Sequence, residues 1–140
     1  MSATLLTVEI VTPQGTLYSG SAQAVSLPGG LAPFQVLINH APIISTLELG
    51  AIRVLDSDGD EHVFAVTGGF VEVKNNRVSI VAEEVFRAEE IDAARVRAER
   101  DRLDAELEQE TDLHRRAQLK AARVRADLLV KVAADATVAE

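Results

Sequence analysis

The chain has 140 residues, of which 47% are hydrophobic and 4% aromatic, and its formal net charge is −8. This composition provides a core for one domain, or for a small domain with an appendage, and excludes global disorder. The absence of cysteine excludes disulfides, thiolate metal sites and a cysteine nucleophile. The acidic balance argues against nucleic-acid binding. We expect neither a signal peptide nor a membrane span, since no apolar run approaches roughly 18 residues.

Residues 1–87 contain the glycines and prolines and show the apolar–polar alternation of strands. Leu6, Val8 and Ile10, for example, alternate with Thr7 and Glu9. Strands are predicted over residues 6–10, 16–19, 22–27, 34–38, 51–55, 62–67, 70–74 and 78–82. Short strands with turn signals every 8–12 residues favour an all-β sandwich, antiparallel, with about ten short strands in two sheets.

Two turn signals lie between these strands. Asp58-Gly59 predicts a two-residue hairpin of type I′, and Asn75-Asn76 predicts a second tight turn because asparagine tolerates a positive φ. The acidic run at residues 56–61 superficially resembles a calcium loop. Its glycine is fourth instead of sixth and Thr67 stands at the twelfth position, so a hairpin tip is the better interpretation.

Residues 88–134 contain no glycine or proline and are rich in helix-forming residues. Two helices are predicted, with a break at residues 110–112 and with Thr111 or Asp112 as the second N-cap. Residues 88–112 hold ten acidic and four basic side chains, whereas residues 113–131 hold one acidic and six basic ones. Antiparallel packing would pair these charges. The sequence therefore predicts an antiparallel α-helical hairpin over residues 88–140, with little core of its own and hence mobile.

Both predicted helices have informative apolar faces. On the first, one face comprises Val96, Leu103 and Leu107, and the opposite face comprises Ile91, Ala94, Ala98 and Ala105. Because a helix with one neighbour shows a single apolar stripe, two stripes predict two partner surfaces. On the second helix the predicted packing seam comprises Leu113, Ala117, Ala121, Val124, Leu128 and Val132.

The sequence contains no pattern typical of catalysis. His40, His62 and His114 lack metal-binding spacing, and neither glycine pair is followed by the residues of a phosphate-binding loop. Nothing resembles a nucleophile elbow. Asp92 and Arg95 are better explained as a first-turn acid with a local ion pair than as a ligand site. The sequence therefore predicts a non-catalytic interaction protein without a metal.

Five segments together resemble the epsilon subunit of bacterial F-type ATP synthases. The most distinctive, Asn39-His40-Ala41-Pro42-Ile43-Ile44, is similar to the Gly-His-Ala-Pro-hydrophobic loop of that family, with Ile38-Asn39 in place of its Pro-Gly. Residues 50–54, 67–73, 78–82 and 91–95 match further family segments in the same order. Each segment alone is a weak signal, but five in register across nearly the whole chain are specific.

The resemblance implies a non-catalytic central-stalk (rotor) subunit of the proton-translocating ATP synthase. Its sandwich, residues 1–87, would bind the gamma subunit and the c-ring and couple ring rotation to the alpha/beta catalytic head. Its hairpin, residues 88–140, would inhibit ATP hydrolysis. The implied location is peripheral, on the cytoplasmic side of the bacterial inner membrane. The implied partner interface comprises Asn39, His40, Ala41, Pro42, Val96, Leu103 and Leu107.

Some family members bind ATP on the folded hairpin. The residues here that match or stand in for that site are Ile91, Asp92, Arg95, Arg102 and Arg123. Val96, Asp127 and Phe86 stand where the family has alanine, arginine and an acidic residue. The resemblance therefore implies no tightly bound cofactor, and ATP as a weak regulatory ligand.

One alternative stays open at this point. The chain could be a stand-alone binding module whose helical tail self-associates through the face that runs from Leu113 to Val132. This alternative predicts stable dimers and no affinity for a gamma-type stalk. An enzyme is the least favoured interpretation.

Overall fold

The computed structural model describes residues 5–138, and within the last helix it describes side chains as far as Asp135. The chain divides between Arg87 and Ala88 into two compact units. In the described part of the first unit there are nine strands, followed by two helices in the second. The strands are β1 (Leu6–Thr12), β2 (Gly15–Leu27), β3 (Phe34–Leu37), β4 (Ile43–Leu47), β5 (Gly50–Asp56), β6 (Glu61–Val66), β7 (Gly69–Lys74), β8 (Arg77–Ala82) and β9 (Val85–Arg87).

The long strand β2 belongs to both layers of the sandwich. Its first half pairs with β1, and its second half pairs with β3 on one side and β5 on the other. The register with β5 shifts between Ala22 and Ala24, and such a bulge lets a strand bend. Hydrogen bonding therefore runs in the order β4-β7-β8-β1-β2-β5-β6-β9, with β3 beside β2, and the sheet is open.

The predicted and observed strands differ at the shared strand β2 and at two strands that were not predicted. The predicted sandwich is confirmed, but the strands predicted over residues 16–19 and 22–27 are the two halves of β2, one in each layer. Strands β4 and β9 were not predicted, because β9 has three residues and β4 follows a loop that ends in proline. The sandwich is also not wholly antiparallel, since β1 and β8 are parallel.

The core of the sandwich is formed almost entirely by aliphatic side chains. Leu6, Val8 and Ile10 of β1 are fully buried, as alternation predicted, together with residues from the facing strands. Phe64 on β6 is 1% exposed and is the largest fully buried side chain among the described residues. Every member of this core lies before residue 88, so the first unit has a hydrophobic core independent of the helices.

The two predicted turns differ in outcome. Asn75 and Asn76 have φ values of 51° and 61°, and Lys74 pairs directly with Arg77, so the tight turn is confirmed. The link between β5 and β6 is instead a four-residue loop, residues 57–60, and the predicted two-residue type I′ turn is wrong. Asp56 explains the longer loop, since its Oδ1 accepts the N–H groups of residues 58 and 60, each at 2.9 Å.

The second unit begins with a 3₁₀ turn (Ala88–Glu90) and continues with helices α1 (Ala93–Gln109) and α2 (Leu113–Val138). Asp92 is the N-cap of α1, and its carboxylate accepts the N–H of Arg95 at 3.2 Å. Asp112 caps α2 in the same way, accepting the N–H of Arg115 at 2.9 Å. The predicted break and one of its two predicted caps are therefore confirmed.

The two helices form the predicted antiparallel hairpin. Leu103 and Leu107 on α1 contact α2 through an apolar cluster that also contains Leu119, Ala122 and Ala126. Opposite charges pair across the helices, with Arg123 2.8 Å from Asp104 and Arg100 3.7 Å from Asp127. Exposed pairs of this kind contribute about 0–1 kcal/mol each, so they select the orientation more than they stabilise it.

The predicted packing seam of α2 is wrong from Leu113 to Val124, whereas Leu128 is half-buried and Val132 is buried. Leu113 and Val124 are 83% and 53% exposed, and Ala117 and Ala121 are exposed too. The face that contacts α1 instead carries Leu119, Ala122 and Ala126. Because α2 has alanine and leucine on opposite sides, helical spacing alone did not distinguish the buried face from the exposed one.

Candidate partner-binding site

The contact loop, defined as residues 38–42, connects β3 to β4. Asn39 adopts a φ of 68°, a left-handed conformation that is uncommon for residues other than glycine. The N–H of His40 donates to the carbonyl of Leu37 at 3.1 Å and closes a turn. Asn39, Ala41 and Pro42 are exposed, and His40 is half-buried. The loop therefore presents its His-Ala-Pro motif to solvent on a closed turn.

The imidazole of His40 is held against its own loop. Its Nδ1 lies 2.6 Å from the carbonyl oxygen of Ala41. Because a carbonyl oxygen only accepts hydrogen bonds, Nδ1 is the donor in this contact. The ring centroid lies 6.4 Å from that of Phe34. The loop thus offers one oriented imidazole edge beside the small apolar surface of Ala41 and Pro42.

Two reciprocal hydrogen bonds, which we name the asparagine clasp, join the contact loop to the β7–β8 turn. The N–H of Asn39 donates to Oδ1 of Asn76 at 2.6 Å, and Nδ2 of Asn76 donates to Oδ1 of Asn39 at 3.2 Å. The carbonyl of Asn76 also accepts the N–H of Thr7 at 2.8 Å. Asn76 therefore connects the contact loop to both its own turn and β1.

An exposed groove on the outer sheet face was missed by the sequence analysis. The outer groove has a volume of about 350 Å³, and the side chains of Val11, Pro13, Phe70 and Val81 line it. Phe70 pairs with Val81, which pairs in turn with Val11, so these residues form a row across three strands. Phe70 is 60% and Val81 56% exposed. Apolar residues next to the buried Val71 and Ile80 were the signal, because strict alternation would place polar residues there.

Two of the predicted partner residues of the hairpin, Leu103 and Leu107, are engaged within their own unit. Leu103 is 3% exposed, and both Leu103 and Leu107 face α2. Val96 is 9% exposed. The alanines of the opposite stripe, at positions 94, 98 and 105, are exposed, as are Leu113 and Val124 on α2. In this conformation the apolar surface that the hairpin offers is therefore its outer surface.

Residues 5–88 match the family model described as the ATP synthase delta/epsilon chain β-sandwich domain. The chain is 41% identical to an ATP synthase epsilon chain of Desulfosudis oleivorans, over 74% of this chain and 77% of that one. It is 37% identical to that of Latilactobacillus sakei, over 86% and 84%. The chain belongs to the ATP synthase epsilon family. This confirms the family that the five sequence segments indicated.

Solved structures share the fold of this epsilon chain. A chain of the Euglena gracilis mitochondrial ATP synthase matches it with a TM-score of 0.74 at 18% identity, over 99% of this chain and 84% of that one. A chain in the Tetrahymena thermophila central stalk and c-ring structure matches with a TM-score of 0.60 at 19% identity, over 91% and 96%.

An epsilon chain is a non-catalytic subunit of ATP synthase. Over residues 5–138, this one has no helix long and apolar enough to cross a membrane.

The five residues predicted to bind ATP lie at separate positions along the helical unit of this epsilon chain. Ile91 and Asp92 precede α1, and Arg95 lies in its first turn, where its backbone is capped by Asp92. Arg123 instead contacts Asp104. Residue 104 lies nine residues after Arg95, which is about 13 Å along a helix. Arg102 pairs with Glu106 at 2.8 Å, beside a cavity of about 420 Å³ that also contains Arg115.

Asp127, one turn after Arg123, is surrounded by cations. Its carboxylate lies 3.1 Å from Lys131, 3.7 Å from Arg100 and 3.9 Å from Arg123. The hydrogen bond from Lys131 is the main cause that lowers the pKa of Asp127. The hydrogen bond that Arg123 donates to Asp104 is the main cause that raises the pKa of Arg123. These arginines are thus neutralised by internal carboxylates that an ATP phosphate would have to displace.

The calcium-like run at residues 56–61 is the tip of the β5–β6 hairpin. Among residues 5–138 no group of three or more histidine, aspartate or glutamate side chains could hold a metal ion. Asp56 instead accepts from Nε2 of His62 at 2.8 Å, and the ring of His62 packs 5.3 Å from that of Tyr18. Burial raises the pKa of Tyr18. The hydrogen bond from His62, with those from the loop N–H groups, lowers the pKa of Asp56.

The lowered pKa of Asp56 predicts a specific pH dependence. The unfolded chain binds a proton at this carboxyl near the ordinary value of 3.8, whereas the folded chain binds it only at lower pH. The contribution of Asp56 to stability is therefore present above pH 3.8 and is lost as the pH falls through the folded pKa. We expect Asp56→Asn to lower the urea midpoint at pH 7, and this difference to shrink at pH 3. Asp58→Asn is the control and should change neither midpoint.

Proposed function

We propose that this epsilon chain is a central-stalk rotor subunit of a proton-translocating bacterial ATP synthase and couples rotation of the c-ring to the catalytic head. One observation carries the proposal. The sandwich exposes two separate docking features, the outer groove with Phe70 and Val81 and the contact loop with Ala41 and Pro42, and these four residues lie outside the core. A subunit that connects two partners needs two such surfaces. The solved structure titled as a central stalk and c-ring contains a chain of this fold.

The outer groove is the proposed contact with the gamma subunit. Its apolar row crosses β7, β8 and β1, which are consecutive neighbours in the sheet, and Glu83 also lines the groove. A central apolar patch with a polar rim is the usual anatomy of a protein–protein interface. The contact loop, with His40, Ala41 and Pro42, is the proposed contact with the c-ring. The proposed location is peripheral, on the cytoplasmic side of the bacterial inner membrane.

The hairpin is the proposed inhibitor of ATP hydrolysis in the alpha/beta head. Its inner face packs Leu103 and Leu107 against α2, and its outer surface leaves Leu113 and Val124 exposed beside basic residues of α2. A hairpin with apolar residues on inner and outer faces has contacts to gain both when closed and when opened against a partner. ATP remains a proposed weak ligand of the closed state, in competition with the carboxylates that pair with Arg102 and Arg123.

A single charge in the outer groove tests the gamma contact. We expect Phe70→Asp to weaken binding to a purified gamma subunit by about 2 kcal/mol or more, about thirtyfold, because truncating a central aromatic anchor has effects of this size. The urea midpoint of the free chain should stay unchanged, since Phe70 is 60% exposed. Binding is measured by titration calorimetry.

Leu37→Asp is the matched control for this substitution. Leu37 is 53% exposed and lies on β3, in the other layer of the sandwich. Leu37→Asp should leave the affinity for gamma within twofold of the wild-type value. Equal losses for both variants would mean that added negative charge, and not the groove, determines binding. Stable self-association of the wild-type chain without gamma binding would instead favour the stand-alone module.

A further inference from the structure

The asparagine clasp joins the contact loop, which carries the proposed c-ring contact, to the β7–β8 turn, for which no partner contact is proposed. Asn39 holds a left-handed conformation, and its two side-chain-mediated bonds both go to Asn76, 37 residues further along the chain. Without these bonds the contact loop would be held by Ile38, which packs against the sandwich core, by the His40 ring near Phe34 and by the turn bond from His40 to Leu37. A short loop with few tertiary hydrogen bonds populates several conformations.

We propose that Asn76 is a positioning residue, which fixes the contact loop in its binding conformation before a partner arrives. This proposal rests on the proposed contact between the contact loop and the c-ring. Asn76 suits the role because its own backbone is fixed by the tight β7–β8 turn and by the bond from Thr7 to its carbonyl. Its side-chain amide projects from this rigid base to the backbone N–H that precedes His40. His40, Ala41 and Pro42 then make the contact that Asn76 itself does not make.

The same arrangement explains how asparagine replaces glycine at position 39. Glycine adopts a positive φ without steric strain, whereas asparagine at this conformation needs compensating interactions. The clasp supplies them, since the N–H of Asn39 donates to Oδ1 of Asn76 and Oδ1 of Asn39 accepts a hydrogen bond from Nδ2 of Asn76. Loss of the Asn76 side chain therefore removes both bonds of the clasp, whereas loss of the Asn39 side chain removes only one of them.

Substitution of Asn76 by glycine tests the proposal, because glycine keeps the turn at φ 61° and removes only the side chain. Asn75→Gly is the matched control, as Asn75 lies in the same turn at φ 51° and contributes nothing to the clasp. In the free full-length chain, we expect Asn76→Gly to raise the hydrogen-exchange rate of the Asn39 N–H at least tenfold. Asn75→Gly should leave that rate within twofold and should keep the wild-type urea midpoint.

Affinity for an ATP synthase complex stripped of its own epsilon chain is the second readout. We expect Asn76→Gly to bind about tenfold more weakly than the wild type, since apparent affinity falls with the fraction of molecules in the binding conformation. Asn76→Asp should restore most of the affinity, because its carboxylate can accept from both the N–H and the reoriented amide of Asn39. A role in stability alone would not give this rescue.

Two negative outcomes are distinguishable. If the wild type binds the stripped complex and Asn76→Gly binds equally well, the positioning role is wrong and the proposed function stands. If the wild-type chain itself does not bind, the proposed function is wrong and the positioning role is overturned with it. Faster exchange at Asn39 together with weaker binding and rescue by Asn76→Asp supports the proposal.

Discussion

Removal of residues 88–140 is expected to leave a folded sandwich that still binds the gamma subunit but no longer inhibits ATP hydrolysis. The entire sandwich core precedes the boundary, so the truncated chain keeps its apolar burial. The cut must follow Arg87, because its guanidinium donates to the carbonyl of Leu17 and lies 5.6 Å over the ring of Phe64. Arg87 also ends β9, which pairs with β6.

Three measurements check this expectation. Urea unfolding should show a cooperative transition for residues 1–87, calorimetry should give wild-type affinity for gamma, and ATPase assays of the catalytic head should show inhibition only by the full chain. A second truncation, after Ala82, removes β9 and serves as a control that should be strongly destabilised. If the full chain and the 1–87 truncation both bind gamma and neither inhibits ATP hydrolysis, this chain couples rotation but is not an inhibitor. An unfolded 1–87 fragment would contradict the independent core.

Substitution of Leu103 by aspartate is expected to open the hairpin while the sandwich stays intact. Leu103 is 3% exposed within the cluster that joins α1 to α2. Burying a carboxylate there without a partner costs about 3 kcal/mol or more, and a two-helix unit has little stability in reserve. Hydrogen exchange along α2 should therefore accelerate strongly, whereas exchange in the sandwich strands should not change.

Ala105→Asp is the control for this second prediction. It introduces the same carboxylate two residues away on the exposed outer face of α1. Exchange along α2 should then stay close to that of the wild type. If hydrogen exchange along α2 also stayed slow in Leu103→Asp, the apolar cluster between the helices would not be what holds the hairpin closed. The proposal that the hairpin has a closed and an opened state would then be contradicted.

The sequence by itself determined the features that depend on local chemistry. Alternation in residues 6–10 predicted the buried face of β1, paired asparagines predicted a tight turn, and an aspartate before α2 predicted its cap. The charge difference between the helices predicted their antiparallel orientation, and five motif segments predicted the family. Each of these features depends on a few neighbouring residues or on the net charge of a segment. Such local patterns and segment charges can be determined directly from the sequence.

Only the tertiary structure decided the features that require distant residues to meet. The division of β2 between two layers depends on which strands flank each half, and the outer groove depends on Phe70, Val81 and Val11 lying in one row. The buried face of α2 was decided by Leu103 and Leu107 of its neighbour, since apolar spacing fitted two faces equally well. The clasp joins Asn39 to Asn76 across 37 positions. Spacing along one chain carries no information about such pairs, because they form only when the fold brings the segments together.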